Sequence, residues 1–200
     1  MSSINETKSN TEIALFEFLK TKTDKSEEEI MKLSKKFLEQ IESKLHKSQL
    51  PSAILTNLEN VEHNQPIYLK GINFVSLCEH HLLPFTGLVN IAVYPSNKIA
   101  GVSKFSELVS LLSNNLTLQE SLTKKIAVEI QNALDPKGVM VKISANHMCS
   151  SLLNIENSET VFETTYSTGI YEIDHTPVSY THLRAHETRE DRGWRRGGDK

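Results

Sequence analysis

Residues 78–81 read Cys-Glu-His-His, so a thiol, a carboxyl and two imidazoles share one short segment. Cys78 and His81 stand three positions apart, a spacing at which a tight turn can present both to one metal ion. The other cysteine of the chain, Cys149, follows His147 by two positions. Each cysteine therefore has a histidine at hand. A thiolate–imidazole–thiolate set suits Zn²⁺, and three protein ligands leave a fourth position for water. Bound zinc lowers the pKa of that water towards ~7, which makes hydroxide available at neutral pH. His80 and His147 are then available for proton transfer, because imidazole titrates near neutrality. Either cysteine alone reads as a small buried hydrophobe; the combination of CEHH with HMC is what favours a metal.

Other candidates carry competing explanations. Ser103-Lys104 at a helix start offers backbone N–H groups, a hydroxyl and an ammonium to an anion, while Ser103 reads equally well as a plain N-cap. Glu120 is accounted for by a capping box with Thr117. His46 and His63 read as surface residues. His182 and His186 imitate an i, i+4 metal pair inside a tail of foreign composition.

The elements that must position these groups follow from periodicity. Residues 11–20 are apolar enough for a short helix. Ser26 with Glu29 forms a capping box, ahead of Ile30, Leu33, Phe37, Ile41 and Leu45 at helical spacing. Strands are expected at Ile67–Leu77, Thr86–Tyr94 and Ile99–Val102, the first two joined by CEHHLLPF. Helices are expected from Ser103 to about Asn114 and from Thr117 to Leu134, where Asp135-Pro136-Lys137-Gly138 stops the second. Val139, Val141, Ile143 and Ala145 alternate with Met140, Lys142, Ser144 and Asn146 in a half-buried strand. The same odd parity carried on to His147 and Cys149 places both on one side of the strand's end. A last strand or hairpin fills roughly 159–173. This order gives an α+β domain with antiparallel pairing.

The segments CEHHLLPFTG, GVSKF, LQESLTKKIA and the strand ending in NHMC, in that order, resemble GTP cyclohydrolase I over about residues 67–170. The resemblance implies a tunnelling fold, in which antiparallel strands and paired helices assemble into a barrel shared among subunits, usually a homodecamer of two pentamers. It implies zinc held by Cys78, His81 and Cys149, with His80 and His147 as acid/base groups. It gives Glu120 the guanine, with Gln119 beside it, and Ser103 and Lys104 the triphosphate. The reaction it implies is hydrolytic opening of the guanine imidazole ring of GTP, giving formate and 7,8-dihydroneopterin triphosphate, the entry to folate and related pterin synthesis. Glu107 and Leu153 stand where the family usually places phosphate-binding arginines, and the usual Thr-Pro-x-Arg-Val segment is missing. Three readings follow: a GTP cyclohydrolase I that grips phosphate with lysines, a paralogue hydrolysing another purine nucleotide or nucleoside, and a non-catalytic zinc-stabilised subunit. A structural zinc site needs neither His80 nor His147, which counts against the third.

Composition sets the boundaries. The chain has 200 residues, 38% hydrophobic and 24% charged, with a net charge of −3. That balance argues against nucleic-acid binding through bulk electrostatics. No run approaches the ~18 apolar residues of a membrane span, and the N-terminus has no signal-peptide pattern, so a cytoplasmic location is expected. Two cysteines build no disulfide framework. All five arginines lie in the last seventeen residues. The expected organisation is a helical region at 1–65, a catalytic domain at 66–176 and a foreign tail at 177–200. The tail reads as translated adaptor sequence replacing the natural C-terminus, or else as a basic interaction segment.

Overall fold

The structure is a computed structural model that describes residues 2–45, 51, 54–55, 58–60, 62–153 and 160–173. The chain divides into two compact units, Met1–Gln49 and Leu50–Lys200.

In the first unit, α1 (Ser2–Lys20) and α2 (Glu27–Lys44) form a helical hairpin. Ser26 caps α2 as its sequence predicts. Its hydroxyl accepts from the Glu29 N–H, while its own N–H donates to the Glu29 carboxylate at 3.1 Å. Phe16 and Ile30 are buried, whereas Leu33 and Phe37 of the predicted stripe remain exposed.

The second unit begins with β1 (Leu58–Asn60), β2 (Ile67–Cys78), β3 (Pro84–Tyr94) and β4 (Lys98–Ala100). Then come α3 (Val102–Ser113), β5 (Leu116–Thr117), α4 (Gln119–Leu134), β6 (Gly138–His147), α5 (Met148–Leu153), β7 (Phe162–Gly169) and α6 (Ile170–Ile173). Five strands make one sheet in the order β5-β2-β3-β6-β7, and β1 pairs with β4 separately. All neighbours in the large sheet are antiparallel except β5, which runs parallel to β2. The fold is α+β with an antiparallel-rich sheet, as the element order predicts.

The alternation in β6 decides which side of the sheet is covered. Val139, Val141, Ile143 and Ala145 are buried at 0–1% exposure, packed with Val89 and Ile91 of β3, Phe105 and Leu108 of α3, and Leu122, Ile126 and Ile130 of α4. Each of the larger side chains contributes roughly 1.5–3 kcal/mol through burial. Gly71, at φ +77°, sits in the β2 bulge, where its N–H donates to the Asn90 side chain at 2.9 Å. Gly87 of β3 faces Ala145 of β6, and a Cβ there would run into the Ser144 carbonyl and lie 2.6 Å from the Ala145 Cα.

Three local expectations are corrected. The N-cap of α3 is Gly101, and Ser103 lies within the first turn; packing of Phe105, Leu108 and Val109 fixes where that helix starts. The N-cap of α4 is Leu118, with no side-chain cap bond. Thr117 is held instead in β5 opposite Cys78, and its hydroxyl donates to the Leu118 carbonyl, so the Thr117–Glu120 capping box does not form. Finally, β6 ends at His147, and Cys149 lies in α5 rather than on a continued strand.

Candidate active site

Four segments of the second unit converge at one end of the sheet. The first is the turn between β2 and β3. Cys78 closes β2, its N–H donating to the Leu83 carbonyl at 2.9 Å, and the Leu82 N–H returns to the Cys78 carbonyl at 2.8 Å. Leu82 takes φ 56°, a left-handed conformation that costs a side chain with a Cβ about 1–2 kcal/mol. The turn leaves His80 and His81 exposed, with ring centroids 6.0 Å apart at 84°.

The second segment is the end of β6. Register places His147 opposite Phe85, and the two rings stack at 4.6 Å and 7°. Phe162 of β7 meets the same imidazole edge-on at 5.7 Å. The third segment is α5, which supplies Cys149. The fourth is the start of α4: because β5 pairs with the end of β2, Gln119 and Glu120 are delivered beside Cys78.

These segments enclose a cavity of about 280 Å³. It is lined by Cys78, His80, His81, Gln119, Glu120, His147 and Cys149, together with Leu118, Ser150, Thr160 and Phe162. Seven residues singled out from sequence therefore share one wall set. Ser103 and Lys104 are not among its lining residues. Lys104 instead makes an ion pair with Glu107, Nζ to Oε2 at 2.8 Å. Leu153 ends α5, and His63 is exposed. His46, His182, His186 and the tail from 177 lie outside the described residues.

Donor atoms of Cys78, His147 and Cys149 all lie within 4.8 Å of one another. The imidazole in this group is His147, whereas the resemblance places His81 there; His81 lines the cavity outside the group. Tetrahedral zinc with Zn–S bonds of ~2.3 Å holds two sulfurs about 3.8 Å apart. A small contraction of the site would meet that geometry, and the soft sulfur-rich donor set is of the kind zinc prefers.

Gln119, only 1% exposed, has every polar atom of its amide engaged. Its Nε2 donates to the Ile143 carbonyl at 3.2 Å, the Phe162 carbonyl at 2.9 Å and the Thr164 hydroxyl at 3.1 Å. Its Oε1 lies 2.8 Å from His147 Nε2. Burial among these groups lowers the His147 pKa below 6.5, with the Glu120 charge opposing the shift. That direction favours the neutral imidazole. Sequence reasoning missed the aromatic walls and this network. Phe85 sits within CEHHLLPF and carried a faint signal, whereas Thr160, Phe162 and Thr164 carried none.

The sequence profile of a family described as GTP cyclohydrolase I matches residues 12–183, reaching further in both directions than the motifs. GTP cyclohydrolase 1 of Rickettsia typhi is 49% identical over 105 residues, 52% of this chain and 55% of that protein. The Parabacteroides distasonis protein of the same name is 36% identical over 138 residues, covering 68% and 70%. The chain spans about half the length of the rickettsial relatives it matches. The apo structure of archaeosine synthase QueF-Like aligns with a TM-score of 0.44 at 16% identity, covering 52% of this chain and 93% of that one. Through the profile match, which runs from within α1 through the cavity-bearing elements, the chain belongs to the GTP cyclohydrolase I family.

Proposed function

We propose that the protein is a zinc-dependent GTP cyclohydrolase I, opening the guanine imidazole ring of GTP to give formate and 7,8-dihydroneopterin triphosphate in the cytoplasm. The observation that carries this reading is one cavity lined by both cysteines, three histidines and Glu120, in a chain of this family.

Cys78 and Cys149 would hold the metal with one imidazole. His81, on the same turn as Cys78, is the proposed third ligand; the near position of His147 makes it the competing one. When bound, zinc supplies the Lewis acidity that makes hydroxide available at neutral pH. Glu120, with no capping box to occupy it, accepts hydrogen bonds from the N–H edge of guanine. Adenine presents no such edge and would leave the carboxylate unpaired. His147, whose partly buried ring lines the cavity, can take up a proton at the reacting base, and His80 on the exposed turn can exchange one with solvent. Phe85, fully buried, stacks on one face of the His147 ring, and Phe162 meets it edge-on.

The cavity is at the small end of ligand sites, which run from ~300 to 1,000 Å³, so it suits the base and sugar and leaves the triphosphate outside. Ser103 and Lys104 do not line it. That supports an oligomer, proposed as a decamer of two pentamers, in which the phosphate grip of one copy completes the cavity of another. Pairing of Lys104 with Glu107 favours a second reading, a paralogue acting on a nucleotide or nucleoside with fewer phosphates. The deciding experiment incubates zinc-loaded full-length protein with GTP, GMP and guanosine, following formate and pterin fluorescence after oxidation. Formate equal to GTP consumed supports the proposal. Faster turnover of guanosine moves the assignment to the paralogue, and no formate from any of them refutes both readings.

A further inference from the structure

The resemblance groups Gln119 with the guanine-binding residues, yet it is 1% exposed and both polar atoms of its amide are already engaged within the protein. Two backbone carbonyls and a hydroxyl surround its nitrogen. The carbonyls of Ile143 and Phe162 can only accept, so the atom facing them must be the N–H₂ group, and the amide cannot be turned over. Oε1 is thereby fixed towards His147. An amide oxygen only accepts, so His147 Nε2 must carry the hydrogen and donate it across the 2.8 Å contact. In the neutral ring the lone pair then belongs to Nδ1. Behind Gln119 the chain of bonds continues. The Thr164 hydroxyl lies 2.7 Å from that of Thr123, which is 2.7 Å from the Gln119 carbonyl. The network ties the first turn of α4 to β6 and β7, all of it on rigid elements.

We propose that Gln119 is a positioning residue, which holds His147 as the Nε2–H tautomer and so makes Nδ1 the one nitrogen available to a metal or a transferring proton. The proposal deepens the reading of His147 as a reactive imidazole and rests on it. An imidazole that is to take up a proton, or to serve as the competing ligand, needs its lone pair held at one atom, and a ring free to exchange tautomers would carry an N–H there part of the time. Stacking on Phe85 fixes the plane of the ring, and the amide fixes which nitrogen is bare.

The test is ¹⁵N–¹H correlation NMR of the histidine side chains in the full-length, metal-free protein at pH 8, without nucleotide. The expected result is a His147 spectrum of a pure Nε2–H tautomer. In Gln119→Met, which keeps length and apolar bulk but removes the acceptor, the spectrum should become that of a mixture. A second variant, Thr164→Val, removes one partner of the amide nitrogen and should leave the tautomer in place. Kinetically, Gln119→Met should lower kcat for GTP on the order of 10-fold or more while KM stays within about twofold. A pure Nδ1–H tautomer in the native protein overturns the proposal, whether or not Gln119→Met folds. An unchanged His147 spectrum in Gln119→Met also overturns it. A raised KM at constant kcat would return Gln119 to substrate binding. The NMR readout needs no turnover, so the predicted tautomer without formate production would sink the cyclohydrolase reading alone.

Discussion

Glu107 stands where the resemblance expects an arginine, and its carboxylate takes up the ammonium of Lys104 at 2.8 Å. The two side chains are 50% and 31% exposed. A pair so open to solvent contributes at most ~1 kcal/mol to the fold, so replacing Glu107 should leave the melting temperature nearly unchanged. The effect on a triphosphate is larger, because its charges add. At ~8 Å in water one unit charge interacts with another by about 0.5 kcal/mol. Against about three phosphate charges this becomes ~1.5 kcal/mol, and a Debye length of ~10 Å at 0.1 M salt cuts it to ~0.7 kcal/mol. Glu107→Gln changes the charge by one unit, so KM for GTP should fall about threefold. Glu107→Arg changes it by two units, so KM should fall about 10-fold, and further if the guanidinium reaches phosphate bidentately. At 1 M salt, where the Debye length is ~3 Å, the gain should nearly vanish. The assay is KM for GTP and for guanosine in the three proteins at 0.1 and 1 M salt. An unmoved KM for GTP at low salt, or an equal gain for guanosine, would show that this helix start does not face the phosphates.

Three further outcomes are expected. Cys149→Ala should lose tight zinc, measured by metal analysis after dialysis, together with turnover; a full equivalent of zinc retained in that variant removes Cys149 from the ligand set, and the same measurement on His81→Ala and His147→Ala decides which imidazole belongs to it. Glu120→Gln should keep its stability, since no capping bond depends on the carboxylate, while kcat/KM for GTP falls on the order of 10²-fold for a lost charged hydrogen-bond pair; unchanged kinetics would exclude guanine recognition. Tyr171, whose buried hydroxyl has no hydrogen-bond partner among the described residues, has its pKa raised from 10.0 to about 12 by burial. Stability tied to its neutral form is therefore complete below pH 10 and lost as pH rises through about 12. In Tyr171→Phe the loss of stability over that range, followed by denaturant melts, should shrink, and stability at pH 8 should hold or rise by up to ~1 kcal/mol.

The candidate donor segments were legible because the chain has only two cysteines and each has a histidine nearby, so their spacing alone carries chemistry. Strand positions were legible for a related reason: the parity of Val139 to Ala145 records which face is covered. The role of Gln119 was not legible. Its partners His147 and Thr164 lie 28 and 45 residues away, and only the pairing of β6 with β7 and the packing of α4 on both strands bring them together. The helix starts at Ser103 and Thr117 were misread because a capping signature states what a side chain can do locally. At Thr117, pairing with β2 claims the residue first.

Gly87 has no side chain and touches no reacting group, yet it constrains the site's evolution. It faces Ala145, two residues before His147, and there is no room there for even a methyl group. Any replacement must push β6 away from β3, and with it the stacked Phe85–His147 pair and the thiol that follows. Random mutagenesis scored by activity alone should therefore find that most replacements of Gly87 lower activity, as replacements of a candidate donor would. Scored by metal content and activity together, it should differ: partial loss of both across many substitutions, instead of the all-or-none loss at a donor atom. A position can thus be invariant among functional sequences because it is the empty space that the chemistry leans on.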